Sequence, residues 1–76
     1  MPAVHEAREI VVNVYYSQEA RGFWAESPDL NGLAASGDTR AEVEQEARWA
    51  AETIYEYQGR GEPPNLVFRD AKISEE

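Results

Sequence analysis

The amino-acid sequence predicts an α+β domain of two layers, in which one helix covers one face of a mixed four-stranded sheet. The elements are expected in the order β-β-β-α-β, with the strands arranged 3-2-1-4 across the sheet. Two observations carry this prediction. Residues 9–17 alternate between two faces and are rich in β-branched and aromatic side chains, as strands are. Apolar residues within 39–57 recur at three- and four-residue steps, as along one side of a helix.

The first strand is expected over residues 9–17, with one buried face and one partly buried face. The buried face carries Ile10, Val12, Val14 and Tyr16, and the other face carries Val11, Asn13 and Tyr15. The polar residues 18–22 form a turn. Residues 23–27 return as the second strand of a hairpin, with Trp24 and Glu26 on the same face.

Turn residues separate the second strand from a short third strand. Pro28 cannot donate a ladder hydrogen bond, so the segment SPDLNG ends the second strand in a turn. Asp29 and Asn31 are expected to bond nearby backbone groups within this turn. Residues 32–37, GLAASG, form the third strand, and their small side chains allow a bulky element to pack across them.

The helix is marked at both of its ends. Thr39 is expected to cap its amino end, and Glu42, three residues later, completes a T-x-x-E capping box. The predicted apolar stripe consists of Val43, Ala47, Ala50, Ala51, Ile54 and Tyr57. The segment GRGEPP stops the helix, because glycines end helices and prolines cannot continue them. Residues 65–71 alternate well enough to form the fourth strand.

The connection through the helix decides which sheet face is covered. A right-handed crossover places the fourth strand parallel to the first strand and beside it. The helix then covers one face, and the other face carries either Val11, Tyr15 and Trp24 or the alternate set of side chains. An exposed apolar face favours self-association. We therefore expect a homodimer or higher homo-oligomer that buries Val11, Tyr15 and Trp24.

Length and composition exclude several classes of protein. The 76 residues suit one domain over residues 9–71, with a flexible tail over 1–8 and a frayed end over 72–76. The sequence has no cysteine, no secretion signal at its start and no apolar run near the roughly 18 residues of a membrane span. A soluble, cytoplasmic domain without membrane contact is expected. The net charge of −8, from 15 acidic and 7 basic residues, disfavours direct nucleic-acid binding and favours a basic protein partner.

The order of motifs resembles a known family. The strand GFWA, the turn SPDLNGL and the segment GDT before a helix with EVEQEA are similar to HicB-like antitoxin domains, over residues 9–57. Asn31 stands where that family typically has proline, and Leu33 stands where a cysteine or small residue is common. These departures favour the uncharacterised HicB-like relatives. Typical members continue into a DNA-binding segment, whereas this sequence stops after the fourth strand, so operator binding is expected to be lost, delegated or trimmed away.

The resemblance implies both a fold and a role. The implied fold is a partial RNase H-like one, which agrees with the element order predicted from the residues. The implied role is that of an antitoxin in a toxin-antitoxin system, which binds and neutralises a small basic HicA-type toxin that cleaves mRNA. An acidic domain has the right charge for such a partner. The alternative is a solitary HicB-like module that self-assembles or acts as an adaptor and has no toxin partner.

The candidate partner-binding site lies on the outer side of the predicted helix. Trp49 falls away from the apolar stripe, and four acidic residues are expected around it: Glu42, Glu46, Glu52 and Glu56. An exposed tryptophan with a charged rim is typical of an interface anchor. Two plainer interpretations stay open: the tryptophan folds over the edge of the sheet, and the glutamates form a solvated face whose charge is balanced by Arg40, Arg48 and Arg60.

The sequence does not predict an enzyme, and it predicts no catalytic, cofactor-binding or metal-ligating residue. Nuclease chemistry of the RNase H type needs several carboxylates that converge on metal ions. The candidates Asp29 and Asp38 have expected turn and capping roles, which leaves Asp70. Asn13 stands on the first strand, where such enzymes carry an aspartate. The single histidine, His5, falls in the expected tail.

Overall fold

The computed structural model describes residues 9–71, which form four strands and one helix. In chain order these are β1 (Glu9–Ser17), β2 (Gly22–Glu26), β3 (Ala34–Gly37), α1 (Arg40–Tyr57) and β4 (Asn65–Asp70). The strands lie in the order β3-β2-β1-β4 in one sheet, which confirms the predicted layout. The expected tail over 1–8 and the frayed end over 72–76 lie outside the described residues.

Strand β1 lies in the centre of the sheet and pairs with a neighbour on each side. It runs antiparallel to β2, with Tyr15 opposite Trp24. It runs parallel to β4, with Asn13 opposite Arg69. Strand β3 adds to the free side of β2 in the antiparallel sense, so the sheet is mixed. This pairing fixes which side chains from different strands stand next to one another on each face.

The hydrophobic core fills the space between one face of the sheet and α1. The strands contribute Ile10, Val12 and Val14 from β1 and Ala25 from β2, all of them buried. The helix contributes the buried residues Val43, Ala47, Ala51 and Tyr55. The loop between β2 and β3 adds Leu30 and Leu33, which are also buried. The predicted buried face of β1 is therefore confirmed except at Tyr16, which is 51% exposed. Tyr16 is paired with Phe23 beside the hairpin turn, where fewer atoms cover it.

Four predicted strand boundaries and one predicted core residue of α1 differ from the structure. Tyr57 is 90% exposed, whereas Tyr55 is 7% exposed and takes its place in the core. The reason is the period of the helix: Tyr55 is four residues after the buried Ala51, while Tyr57 is six residues after it and is turned away. Strand β3 begins two residues later than expected, because Leu33 donates its N–H to the Leu30 carbonyl at 3.2 Å and so belongs to the turn. Strand β2 begins at Gly22 and ends at Glu26, each one residue earlier than expected, and β4 ends at Asp70, also one residue earlier than expected.

Side chains continue the sheet where Pro28 interrupts it. Val11 stands at the position that would face Pro28, which has no N–H to offer. The Ser27 hydroxyl donates to the Val11 carbonyl at 2.6 Å, and an Asp29 carboxylate oxygen accepts from the Val11 N–H at 2.8 Å. The prediction that Asp29 bonds within the turn is therefore wrong, since its side chain reaches β1. Ser27 has the local role instead, because its oxygen accepts from the backbone N–H groups of Asp29 and Leu30.

The amino end of α1 is capped as the sequence predicts, with one difference. The Thr39 hydroxyl accepts from the Glu42 backbone N–H at 3.1 Å. The Glu42 carboxylate accepts from the Asp38 N–H at 2.9 Å, one residue before the N–H that a capping box uses. At the other end, Gly59 takes a φ of 70° just after the C-cap residue Gln58, as helix-ending glycines do.

The end of β3 lies unusually close to the first turn of α1. A Cβ atom added to Gly37 would stand 2.8 Å from the Glu42 Cβ and 2.8 Å from the Val43 backbone nitrogen. Real Cβ atoms do not approach other atoms so closely, so the helix could not keep this position over a larger residue. Gly37 therefore sets how closely α1 packs on the sheet, and the small residues expected in β3 serve this close approach.

We expect Gly37→Ala to destabilise the domain by about 1–3 kcal/mol, the usual cost of forcing a group into a packed region. Urea unfolding followed by circular dichroism measures this change. The matched control is Ser36→Ala, one residue earlier on the exposed face of β3, which we expect to stay within about 0.5 kcal/mol of the wild type. A Gly37→Ala variant as stable as the wild type would show that α1 does not depend on this contact.

Candidate functional site

One face of the sheet is left without cover by α1. We call it the open face and define it by the outward side chains Val11, Asn13, Tyr15, Trp24, Glu26, Ser36, Val67 and Arg69. None of them is buried, whereas Ile10, Val12 and Val14 on the other side of β1 are. The three predicted self-association residues, Val11, Tyr15 and Trp24, therefore lie on the same exposed surface.

An aromatic pair lies on the open face. The rings of Tyr15 and Trp24 stack with their centroids 4.1 Å apart and their planes at 10°. The Tyr15 hydroxyl donates a hydrogen bond to a Glu26 carboxylate oxygen at 3.0 Å. This bond, together with desolvation and the negative charge of Glu26, raises the pKa of the Tyr15 hydroxyl above its ordinary value of 10.0. The stack and the hydrogen bond hold a flat apolar surface, of which Trp24 is 37% exposed.

The outward side of α1 forms a second exposed surface, which we call the acidic helix face. Trp49 lies at its centre and is 63% exposed, so it does not fold over the edge of the sheet. The four predicted glutamates stand three and seven residues before and after it: Glu42, Glu46, Glu52 and Glu56. Residues at these spacings share one side of a helix, and all four glutamates are exposed. The structure thus brings every predicted partner-binding residue onto one surface.

The ion pairs of the arginines near α1 do not involve the four glutamates of the acidic helix face. Arg40 pairs with Glu44 at 2.9 Å and also with Asp70, and Arg48 lies 4.0 Å from Glu44. The Arg48 guanidinium also stands over the Phe68 ring. Within residues 9–71, none of the four glutamates around Trp49 takes part in an ion pair. Arg60 lies over the Tyr55 ring, with 4.2 Å between its guanidinium carbon and the ring centroid. That Arg40, Arg48 and Arg60 balance the charge of these glutamates stays a prediction, and Arg48 lines the same groove as Glu52 and Glu56.

Two concave surfaces adjoin the acidic helix face. A cleft of about 230 Å³ lies beside Trp49 and is also lined by Ala50, Thr53 and Ile54. A wider groove of about 790 Å³ lies between the last turns of α1 and the segment that leads into β4, with Glu52, Glu56 and Pro63 among its lining residues. The sequence predicts neither surface. It identifies the Pro63–Pro64 pair as a helix stop, and the structure shows that the pair also lines the groove.

The carboxylates considered for a nuclease site lie apart and have other contacts. Asp29 accepts from the Val11 N–H, and Asp70 pairs with Arg40. Within the described part of the chain, no three histidine, cysteine, aspartate or glutamate side chains are close enough to hold a metal ion together. His5, the single histidine of the sequence, lies outside the described residues.

Comparison with known proteins adds no relative to this description. No family model matches the chain, and neither the curated proteins nor the solved structures gave a match. Among residues 9–71, no helix is long and apolar enough to cross a membrane. The likeness to HicB-like domains therefore rests on the motifs in residues 9–57.

The raised pKa of Tyr15 gives a direct test of the open face. We expect Tyr15 to ionise above pH 10.0, and Glu26→Gln to lower its pKa, because this change removes the negative charge that strengthens the hydrogen bond and disfavours the ionised tyrosine. The bond favours the protonated form in the folded state. Its contribution to stability is therefore present below pH 10 and lost as the pH rises through the raised pKa.

A pH titration of the tyrosine ring carbons by NMR measures this pKa. Glu19→Gln, which removes one negative charge from the β1–β2 turn, is the control and should leave the Tyr15 pKa where it is. A Tyr15 pKa that does not change in Glu26→Gln would contradict a contact between the Tyr15 hydroxyl and a charged Glu26 carboxylate.

Proposed function

We propose that this domain is a HicB-like antitoxin, which binds a small basic HicA-type toxin protein in the cytoplasm and neutralises it by contact. The observation that carries the proposal is the acidic helix face, where an exposed Trp49 is surrounded by four glutamates without ion pairs in residues 9–71. The domain acts by binding and not by catalysis.

The chemistry of this surface suits a basic protein. A large aromatic side chain can enter a pocket on a partner and supply most of the binding energy, while charged residues around it exclude water and fix the orientation. Four negative charges also accelerate the encounter with a positively charged protein. The substrate of an mRNA-cleaving toxin is itself polyanionic, so an acidic surface can occupy the same basic groove.

The spacing of the glutamates favours an extended partner surface over a small ligand. Glu42 and Glu56 are fourteen residues apart in α1, which at about 1.5 Å per residue places them roughly 21 Å apart along the helix axis. A metal ion or a small molecule needs its ligands gathered around one point. A row of charges on both sides of Trp49 instead matches the length of a protein interface.

A second candidate function is a solitary HicB-like module that self-assembles or acts as an adaptor. The open face favours it, because a stacked Tyr15–Trp24 pair on an uncovered sheet provides a surface for assembly without any toxin. The two functions differ in one measurable property. Only an antitoxin suppresses the RNA cleavage of a small basic partner protein.

The test of the proposed function uses the purified domain as bait in an extract of its native host, followed by an RNA cleavage assay on the captured protein. We expect capture of a small basic ribonuclease, inhibition of its cleavage by added domain, and slower association as salt rises. Trp49→Ala should weaken the complex about 30-fold, the effect of losing an interface hot spot of about 2 kcal/mol.

The matched control is Tyr57→Ala, which removes a still more exposed aromatic side chain from the same helix. We expect this variant to bind and inhibit like the wild type. Capture of no ribonuclease, or a captured ribonuclease that the domain does not inhibit, would contradict the antitoxin function and leave the self-assembling module. Equal losses in Trp49→Ala and Tyr57→Ala would show that Trp49 is not the anchor.

A further inference from the structure

The open face is arranged in rows that run across the strands. In the central row, Asn13 on β1 stands between Glu26 on β2 and Arg69 on β4. Two less polar rows flank it: Val11 with Val67 on one side, and Tyr15 with Trp24 on the other. The face therefore has a negative charge on one side of β1, a positive charge on the other side, and apolar groups above and below.

The two charges of the central row do not meet within one chain. Glu26 and Arg69 are two strands apart, so their Cα atoms are separated by about 10 Å. Neither takes part in an ion pair within the described residues, and both side chains are exposed. A partner with the reverse arrangement would therefore find one acid and one base, each without an ion pair in the described residues, at a fixed spacing.

A second copy of this chain has that reverse arrangement. A two-fold axis that lies parallel to the strands, above β1, exchanges the β2 side of one sheet with the β4 side of the other. It places Glu26 of each protomer opposite Arg69 of the other, so that the interface contains two such pairs. An axis perpendicular to the strands would instead place Glu26 opposite Glu26 and Arg69 opposite Arg69, which is repulsive.

We infer that the open face is a homodimer interface, in which two copies pack sheet to sheet about a two-fold axis parallel to β1. The apolar rows then meet at the axis, where Tyr15 faces Tyr15 and Val11 faces Val11 of the partner. Packing of this kind is common between sheets, whose strand directions stay within about 30° of each other. The inference concerns a different surface from the acidic helix face and does not depend on the antitoxin function.

The charge of the whole chain supports a second copy on this face. At a net charge of −8, two copies repel each other over most of their surfaces. The central row of the open face carries one acid and one base, so it is neutral overall, and the two flanking rows carry no charge. These rows therefore add no repulsion. Glu9 lies on the same side of β1 but about 13 Å from Asn13 along the strand, at the rim, where solvent and salt screen its charge.

The size of the open face indicates the strength of the dimer. Four strands and the six residues of β4 define a surface of roughly 20 Å by 20 Å. Such an interface is small for a specific complex. The two copies are therefore expected to exchange readily, so that variants can be mixed and allowed to re-pair in solution.

The test reverses the two charges one at a time, in the full chain. Glu26→Arg places two positive pairs across the axis, and Arg69→Glu places two negative pairs there, so each variant should raise the dimer dissociation constant about tenfold or more. When the two variants are mixed, every Arg faces a Glu again, and we expect a heterodimer about as tight as the wild-type dimer. Sedimentation velocity of the separate and mixed proteins measures both effects.

Two further variants separate the interface from other causes. Glu52→Arg, a matched charge reversal on the acidic helix face, should leave the dimer unchanged. Glu26→Gln keeps an oxygen that can accept from the Tyr15 hydroxyl and should weaken the dimer less than Glu26→Arg. Circular dichroism verifies that each variant is folded.

Three results would overturn the inference. A wild-type chain that stays monomeric at millimolar concentration would show that the open face does not bind a second copy. A dimer unaffected by either single reversal would point to another face or to the perpendicular axis. A mixture of the two variants that does not restore the dimer would show that Glu26 and Arg69 do not face each other.

Discussion

The close contact between α1 and the end of β3 determines the rest of the molecule. The helix N-terminus reaches the sheet only because Gly37 has no side chain there. With α1 held in this position, Val43, Ala47 and Ala51 are buried against one face of the sheet. The same residues cannot also cover the other face. Within residues 9–71 one helix covers one face, and the second face stays in contact with solvent.

The two exposed surfaces follow from the same contact. Because the buried side of α1 is fixed by Gly37, the opposite side of the helix must carry Trp49 outward, together with its glutamates. Because the helix lies on one side of the sheet, Tyr15 and Trp24 face the other way. A dimer built through the open face would leave both acidic helix faces accessible, so that each copy could bind one basic partner. Self-association and partner binding would then be compatible in a single assembly.

The sequence predicts the elements well because their signals are local. The alternation in β1, the Thr39 cap and the glycines after α1 each act within a few residues, and the strand order follows from chain direction and handedness. The helix stripe was harder to assign, since spacings of three and four residues admit both Tyr55 and Tyr57. Only the contact with the sheet decides between them.

Long-range contacts could not be read from the sequence. Asp29 was expected to act within its turn, but it bonds the Val11 N–H eighteen residues away. Alternation placed Glu26 beside Trp24, yet the position of Arg69 on the same face depends on the register between β1 and β4. The sequence does predict that the partner-binding residues share one surface, because Trp49 and the four glutamates lie in one helix and the period of the helix alone places them on the same side. The HicB-like relationship and the antitoxin role stay predictions that binding experiments must test.

The most direct measurement of the dimer is an isotope-filtered NMR experiment on a mixture of labelled and unlabelled protein, which detects only contacts between copies. A dimer through the open face predicts intermolecular contacts from the Tyr15 ring to the Tyr15 ring and from the Val11 methyl groups to those of the second copy. It predicts no intermolecular contact from the Trp49 ring. Intermolecular contacts that come from α1, in a sample that sediments as a dimer, would show that the uncovered sheet face is not where this domain pairs.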